Sequence, residues 1–310
     1  MELLFHEPWW LSAATEGAFQ ETTVTRNGRI VGRLPFIVTR RFGFTEINMP
    51  AFTHIAGPAV NVGEGKQQTQ LIRRLSIVRE LIDRMPPFDA CKLAFRASTA
   101  DGLAFQDRGY RTMPQFTFQI DCTRDPQQLW QDMHFKTRQH IRRAEEKFTV
   151  GAVSDPEVFT QFYEENLRKT GRKNNLNFTA FGAVFRECQL RGCGDILCAS
   201  WPNGVPTAMV YVVWGRGVMY YLLATRAADS GDNGSTCLLI WAAMKRAHEL
   251  GLTLDLDGVS TSGTAHFYSG FGGRLDMRLI VRRARPIYSA LQSAKRRLAG
   301  SRTNGTLDFT

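Results

Sequence analysis

The amino-acid sequence predicts an α/β (α+β) fold built twice: two tandem units, each a mixed, mostly antiparallel sheet flanked by helices. Three observations carry this expectation. Asn27-Gly28 and Asn203-Gly204 each separate β-rich runs, one in each half, and Asn-Gly between such runs is a strong hairpin signal. Both halves then follow the same order: hairpin strands, a long helix, a strand, a short helix and a last strand. Finally, 310 residues with 43% hydrophobic content are enough for two separate cores.

In the first half, "ETTVTRNGRIVGRLPFIVTR" reads as a hairpin, followed by the looped "MPAFTHIAGPAV" with Pro50, Gly57 and Pro58. "KQQTQLIRRLSIVRELIDRM" spaces Leu71, Leu75, Val78 and Leu81–Ile82 for one helical face, and Pro86–Pro87 ends it. A strand "DACKLAF", a short helix "DGLAFQDRGY" and a strand "QFTFQID" follow. Between the halves, "QLWQDMHFKTRQHIRRAEEK" sets Trp130, Met133, Ile141 and Ala144 on an apolar stripe. "DPEVFTQFYEENLRKTGRK" is a second amphipathic helix, with Pro156 in its first turn. The second half repeats the order: three strands over 194–226, the helix "GSTCLLIWAAMKRAHELG" capped by Ser235 or Thr236, the strand "LTLDLDG", the short helix "GTAHFYSGFGG" and the strand "LDMRLIVRR". The expected boundaries are 1–125 for the first unit, 126–180 for a helical connector, 181–285 for the second unit and 286–310 for a basic tail.

The formal net charge of +10 suits polyanionic partners: nucleic acid, phosphorylated co-substrates or an anionic membrane surface. Two stretches concentrate it, His134–Lys147 and Arg282–Arg302. In the first, Lys136, Arg138, Arg142 and Arg143 are candidates to contact phosphates such as those of tRNA; the other reading is a solvated helix face. Neither stretch carries an RNA-binding signature, and no DNA partner is expected. No apolar run reaches the ~18 residues of a membrane span. The opening residues lack a basic segment ahead of a long apolar one, so the expectation is a cytoplasmic protein. Six scattered cysteines form no CxxC pair, which excludes a zinc ribbon or redox dithiol and favours buried free thiols; no metal is expected. With no G-x-S-x-G elbow, a hydrolase is disfavoured.

Three stretches share a pattern with a known family. "GRIVGRLPF…MPAFTHIAGP", "KTRQHIRRAEEK" and "LDLDGVSTSGTAHFYSGFGG" resemble, in order and spacing, the opening hairpin with its Gly-Pro loop, the "R-x-x-I-R-[KR]-A" helix, and the closing strand with the "F-[YK]-x-x-F-G" helix of FemAB-like aminoacyltransferases. These are double-GNAT proteins. The resemblance implies two tandem GNAT-like domains. It also implies transfer of an acyl or aminoacyl group to an amine, with acyl-CoA or aminoacyl-tRNA as co-substrate and no covalently bound cofactor. The acceptor would be a small-molecule amine, a natural product or a cell-envelope precursor.

Amide formation needs a neutral amine, a placed carbonyl, a stabilised oxyanion and a protonated leaving group. By strand alternation Asp255 and Asp257 share one face, with Leu254 and Leu256 on the other. Either Asp257 holds an ammonium and relays its proton, or it caps the turn "DGVST" while Asp255 pairs with an arginine. In GNAT enzymes the comparable short helix often carries a tyrosine that protonates the leaving thiolate, which here is Tyr268; the alternative is a tyrosine packed between helix and sheet. His266, two residues earlier, faces differently on a helix. Donor binding falls on the loop before the long helix, with Arg226, Gly231, Gly234 and Ser235, where backbone N–H groups favour an anion. The family's spacing there, "[RQ]-x-x-G-x-[GA]", differs from this chain, which also brings Asp229 and Asp232. Trp9, His54, Arg168 and Arg172 are candidates for acceptor recognition in a groove between the halves. An opposing reading from another class is a non-catalytic, degenerate GNAT repeat that binds tRNA or RNA. The first half, "CKLAFRASTADGLAFQDRGY", has the same architecture without paired aspartates on its strand.

Overall fold

The computed structural model describes residues 3–96, 99–229, 231, 234–259 and 261–299. They divide into two compact units, one formed from 3–115 with 277–299 and the other from 116–276.

The first unit starts with a short 3-10 turn (Leu4–His6) and α1 (Pro8–Thr15), then β1 (Gln20–Arg26), β2 (Arg29–Arg41), β3 (Phe44–Asn48) and β4 (Ala59–Val60). β1, β3 and β4 each pair antiparallel with β2. Asn27 and Gly28, both at positive φ, make the expected tight turn between β1 and β2. α2 (Gln67–Asp83) follows and presses Ile77, Val78, Leu81 and Ile82 into the core, whereas Leu71, expected on that face, is exposed. β5 (Ala90–Arg96) pairs parallel with β3, and α3 (Thr99–Gln106) covers it. The core gathers Leu34, Phe36, Ile47, Leu93, Phe95 and Phe105 around these helices.

β6 (Arg111–Asp121) comes next in the chain, but from Phe116 onward it belongs to the second unit. α4 (Pro126–Asp132), α5 (Phe135–Glu145), β7 (Thr149–Val153), α6 (Pro156–Lys169) and α7 (Phe178–Leu190) follow. The single stripe expected over 128–147 is thus two helices. Met133 is extended between them, and the His134 ring accepts from the Lys136 N–H as N-cap of α5. β8 (Gly194–Ser200), β9 (Pro206–Gly215) and β10 (Val218–Arg226) extend the antiparallel run from β7. α8 (Ser235–Glu249) crosses to β11 (Thr253–Val259), which is parallel to β10 and antiparallel to β6. α9 (Ser262–Ser269) closes the repeat. Leu254 and Leu256 of β11 sit in a core with α8, α4 and α5, so the connector helices share the second unit's core rather than standing apart.

β12 (Arg274–Ala284) follows α9 but, from Met277, lies in the first unit, antiparallel to β5; α10 (Pro286–Ala299) comes after it. The last strand of each half therefore completes the sheet of the other. This departs from the expected boundaries at 125 and 285. The reason is that alternation shows that a segment is a strand but not which edge accepts it. All six cysteines are free thiols, and five are buried.

Candidate functional site

β10 and β11 pair in parallel over only three positions, Val218–Tyr220 with Thr253–Asp255. Both strands run on, β10 to Arg226 and β11 to Val259, so they part beyond Tyr220 and Asp255. β10 also carries a bulge at Leu222 against β9. Among the described residues, β10 beyond Tyr220 has no strand paired with it on the β11 side.

Where the two strands part, β11 breaks its alternation. Its pairing with β6 slips between Asp255 and Gly258, and Asp257 is held at φ 60, a conformation that is uncommon for any residue with a Cβ. Asp255 and Asp257 thus do not share a face, which corrects the expectation from strand period. Asp255 is fully buried. Its carboxylate accepts from the Thr117 hydroxyl, from Gln119 Nε2 (3.3 Å) and from the Asp257 backbone N–H (3.0 Å). Gln119 in turn accepts from Arg274 at 3.3 Å. Asp255 is thereby a positioning residue: it ties the bulge down and fixes where Asp257 emerges, half-buried.

Tyr268 packs against the core from α9. Burial, and secondarily the nearby Asp257 carboxylate, pushes its hydroxyl up to about 12. Beside it lies fully buried Tyr221 of β10, raised in turn by burial first and by Tyr268 next. Asp257 and Tyr268, named from sequence, therefore come together, and Tyr221 joins them. His266 does not: two residues from Tyr268 on α9, it is exposed on another face. Thr261 caps α9 by accepting from the Thr264 N–H (3.1 Å). The other end is fastened to α5 through His134 N–H to Gly270 O (2.9 Å). A Cβ at Gly270 would collide with the Thr137 hydroxyl oxygen of α5, so a larger residue must push that side chain aside to keep the seam.

The donor loop leads into α8. Its N-cap is Gly234, at φ 80, with no side-chain cap; the sequence had pointed to Ser235 or Thr236. Ser235 is buried inside the first turn. A Cβ at Gly234 would stand 2.8 Å from the His140 carbonyl, so α5 runs directly beside the α8 N-terminus. A helix N-terminus without a side-chain cap, next to a basic helix, is suited to phosphate. Of the basic residues on α5, Lys136, Arg142 and Arg143 are exposed, and Arg142 stacks on Trp130 at 5.6 Å. Arg138 instead donates to the Gln131 (2.8 Å) and Trp130 (3.3 Å) carbonyls at the end of α4, a structural role. Arg226 at the end of β10 and Gly231 on the loop are both exposed. The loop's near end is held by α6: Asn166 donates to Thr225 Oγ1 (3.0 Å) and accepts from the Ala228 N–H (3.3 Å), and Lys169 pairs with Asp229 at 3.2 Å. Lys169 lowers the Asp229 carboxyl and offsets part of the negative charge that Asp229 brings to the loop. Asp232 lies outside the described residues.

Of the four acceptor candidates, Trp9 and His54 belong to the first unit. Trp9 sits edge-on to buried Trp10 at 5.8 Å, and His54 is tilted against Phe5 at 6.0 Å. Arg168 and Arg172 lie in the second unit, exposed at the end of α6 and just beyond it. Sequence reading missed Tyr221, Thr117, Gln119, Asn166 and Lys169. Most look like ordinary strand or helix residues, and only the Asp257-Gly258 dipeptide hinted at the bulge.

Residues 134–267 match the family model described as an acetyltransferase (GNAT) domain. Among solved structures, FemX is similar over 93% of this chain and 94% of its own, at 13% identity and a TM-score of 0.68. L-PGS from Bacillus licheniformis is similar over 94% and 96%, at 12% identity and 0.57. A tandem GNAT protein from the clavulanic acid biosynthesis pathway is similar over 86% and 83%, at 10% identity and 0.53. No curated protein matches the chain in sequence. The chain thus has the tandem GNAT fold that FemX also shows, and residues 134–267 of its second unit are similar to a GNAT acetyltransferase domain. Acyl transfer is the general chemistry that this domain supports. Among the described residues no helix is long and apolar enough to cross a membrane, and no group of three or more His, Cys, Asp or Glu gathers as metal ligands.

Proposed function

We propose that the second unit forms an amide, moving an acyl or aminoacyl group from acyl-CoA or aminoacyl-tRNA to the amine of a small-molecule, natural-product or cell-envelope precursor. The observation that carries this reading is the placement of Asp257, tied in a left-handed conformation to a buried carboxylate, near enough for its charge to help raise the hydroxyl of Tyr268, which packs on the core from α9. Asp257 takes the proton of the incoming ammonium, so that the amine attacks as a neutral nucleophile. N–H groups on the free edge of β10 hold the donor chain and the developing oxyanion. As the tetrahedral intermediate collapses, Tyr268 gives its hydroxyl proton to the departing thiolate or ribose oxygen and regains one from the attacking nitrogen, which sheds its second proton as the amide forms. The phosphates of the donor rest at the α8 N-terminus beside Lys136, Arg142 and Arg143. Arg168 and Arg172 offer cationic contacts to an anionic acceptor. The reading includes a cytoplasmic location, where both donors are made.

Thermal denaturation of the purified protein with each donor class tests this. A rise in melting temperature with a CoA thioester that persists at high salt selects acyl-CoA. A salt-sensitive rise with charged but not uncharged tRNA selects aminoacyl-tRNA. No shift with either, at millimolar thioester and micromolar charged tRNA, overturns the proposal.

A further inference from the structure

The final helix of the first unit displays its apolar residues outward. Tyr288 and Gln292, one turn apart on α10, face the body of the unit. Tyr288 donates to Glu46 Oε1 at 2.9 Å and meets the Phe44 ring edge-on at 5.4 Å, while Gln292 donates to the Tyr288 hydroxyl at 3.0 Å. Arg285 pairs with Asp89 at 3.1 Å where the helix begins. These contacts fix α10 beside the β2–β3 hairpin and leave Ile287 and Leu291, also one turn apart, 70% and 52% exposed. Next to them is the tip of the hairpin. Its turn, Phe42-Gly43, has both residues at positive φ, and it carries Phe42 82% exposed under the Arg41 guanidinium. A shallow recess of about 200 Å³ joins Phe42 to Leu291.

A phenylalanine at a hairpin tip with left-handed backbone would be replaced at little cost by Asn, Asp or Gly if it only made the turn. Its charge setting is mainly basic. Glu46 and Asp89 on this face are engaged by Tyr288 and Arg285, and from Arg282 to Arg302 the chain has seven basic residues and no acidic one, with Lys295, Arg296 and Arg297 within α10 itself. Arg40 and Arg41 flank Phe42, and both are exposed. Exposed Ile287, Leu291 and Phe42, with the exposed Arg40 and Arg41 and a basic sequence along α10, match the interface of an anionic bilayer, where apolar groups enter the acyl boundary and cations remain at the headgroups. RNA would use the charge but has no place for Ile287 and Leu291, which offer it neither a stacking plane nor a hydrogen bond.

We infer that this face, formed by α10 and the β2–β3 tip, docks the protein on anionic membrane surfaces, separately from the proposed reaction site in the second unit. The test is sedimentation of the full chain with phosphatidylcholine vesicles with and without 30 mol% phosphatidylglycerol, at about 0.1 M and 0.5 M salt. Binding to the anionic vesicles alone is expected. It should fall at least tenfold in Ile287→Ser/Leu291→Ser and in Phe42→Ser. In Lys295→Gln/Arg296→Gln/Arg297→Gln it should fall roughly a hundredfold, at about fivefold per cation. Unchanged melting temperatures confirm that the variants are folded. No sedimentation of wild type with anionic vesicles overturns the inference. So does binding that the apolar substitutions leave intact, which would be plain charge attraction. If wild type ignores vesicles but the same apolar substitutions convert a dimer to monomer or abolish tRNA binding, the face serves a second copy or RNA, and the lipid assignment fails.

Discussion

Replacing Asp255 with alanine removes the acceptor that holds the β11 bulge. Three donors converge on this carboxylate: the Thr117 hydroxyl, Gln119 Nε2 at 3.3 Å and the Asp257 N–H at 3.0 Å. A hydrogen bond to a charged acceptor contributes about 1.5–3 kcal/mol, and a buried donor left without one costs a similar amount. The Gln119 contact is long and contributes least, and the freed donors recover part of the loss by relaxing. The net cost is then about 3–5 kcal/mol. For a unit of this size each kcal/mol lowers the melting temperature by about 2–4 °C, so Asp255→Ala should melt roughly 10 °C lower. Thr117→Val, which deletes one of the strong bonds, should lose roughly half as much, and Thr117→Ser should melt near wild type. Differential scanning calorimetry reads all three. Because Asp257 is released from its left-handed position, donor-to-amine transfer should also fall in Asp255→Ala, with Asp257 chemically intact. A melting temperature within about 2 °C of wild type, with unchanged transfer, would show that Asp255 does not position the bulge.

The remaining expectations concern the site around it. Tyr268→Phe should lower kcat by about 10²–10⁴-fold with KM little changed, in steady-state kinetics at saturating donor, if the hydroxyl is the general acid. The same residue has a pH signature. Its native hydroxyl is raised to about 12 from 10, so the folded state keeps a proton that the unfolded chain loses. Its contribution to stability is full below about pH 10 and declines between about 10 and 12; Tyr268→Phe should flatten that part of the decline in chemical denaturation. Gly234→Ala must place a methyl 2.8 Å from the His140 carbonyl at a backbone of φ 80, which should cost about 2–3 kcal/mol and weaken donor binding by separating α5 from α8. Lys169→Met leaves Asp229 uncompensated on the donor loop, and KM for the donor should rise several-fold at unchanged kcat.

The repeat was legible in the sequence because its signals are local. Asn27-Gly28 makes its turn, the Leu254/Leu256 alternation points to the core, and most apolar positions of the long helices find it, Leu71 excepted. What sequence could not show was set by pairing. β6 and β12 look like closing strands of their own halves, and an alternating strand carries no mark of which neighbour it will pair with. The same holds for the two aspartates. Period two puts them together, but one bulge turns Asp255 inward to Thr117 and sends Asp257 toward Tyr268. Arg138 shows the reverse error, since a charge in a basic run is engaged by the carbonyls of the preceding helix only once the chain breaks at Met133. Tyr221 was invisible because a tyrosine within a buried strand reads as core until the neighbouring strand parts from it.

The central claim is that the second unit makes an amide through Asp257 and Tyr268. Its most direct measurement is transfer of radiolabel from acetyl-CoA and from a pool of aminoacyl-tRNAs into base-stable product, in the presence of a small-molecule and envelope-precursor extract. Wild type, Asp257→Asn and Tyr268→Phe are compared. Label should appear with wild type from one donor class and fall at least a hundredfold in both variants, whose melting temperatures should stay near wild type. Equal transfer by wild type and both folded variants would contradict the account.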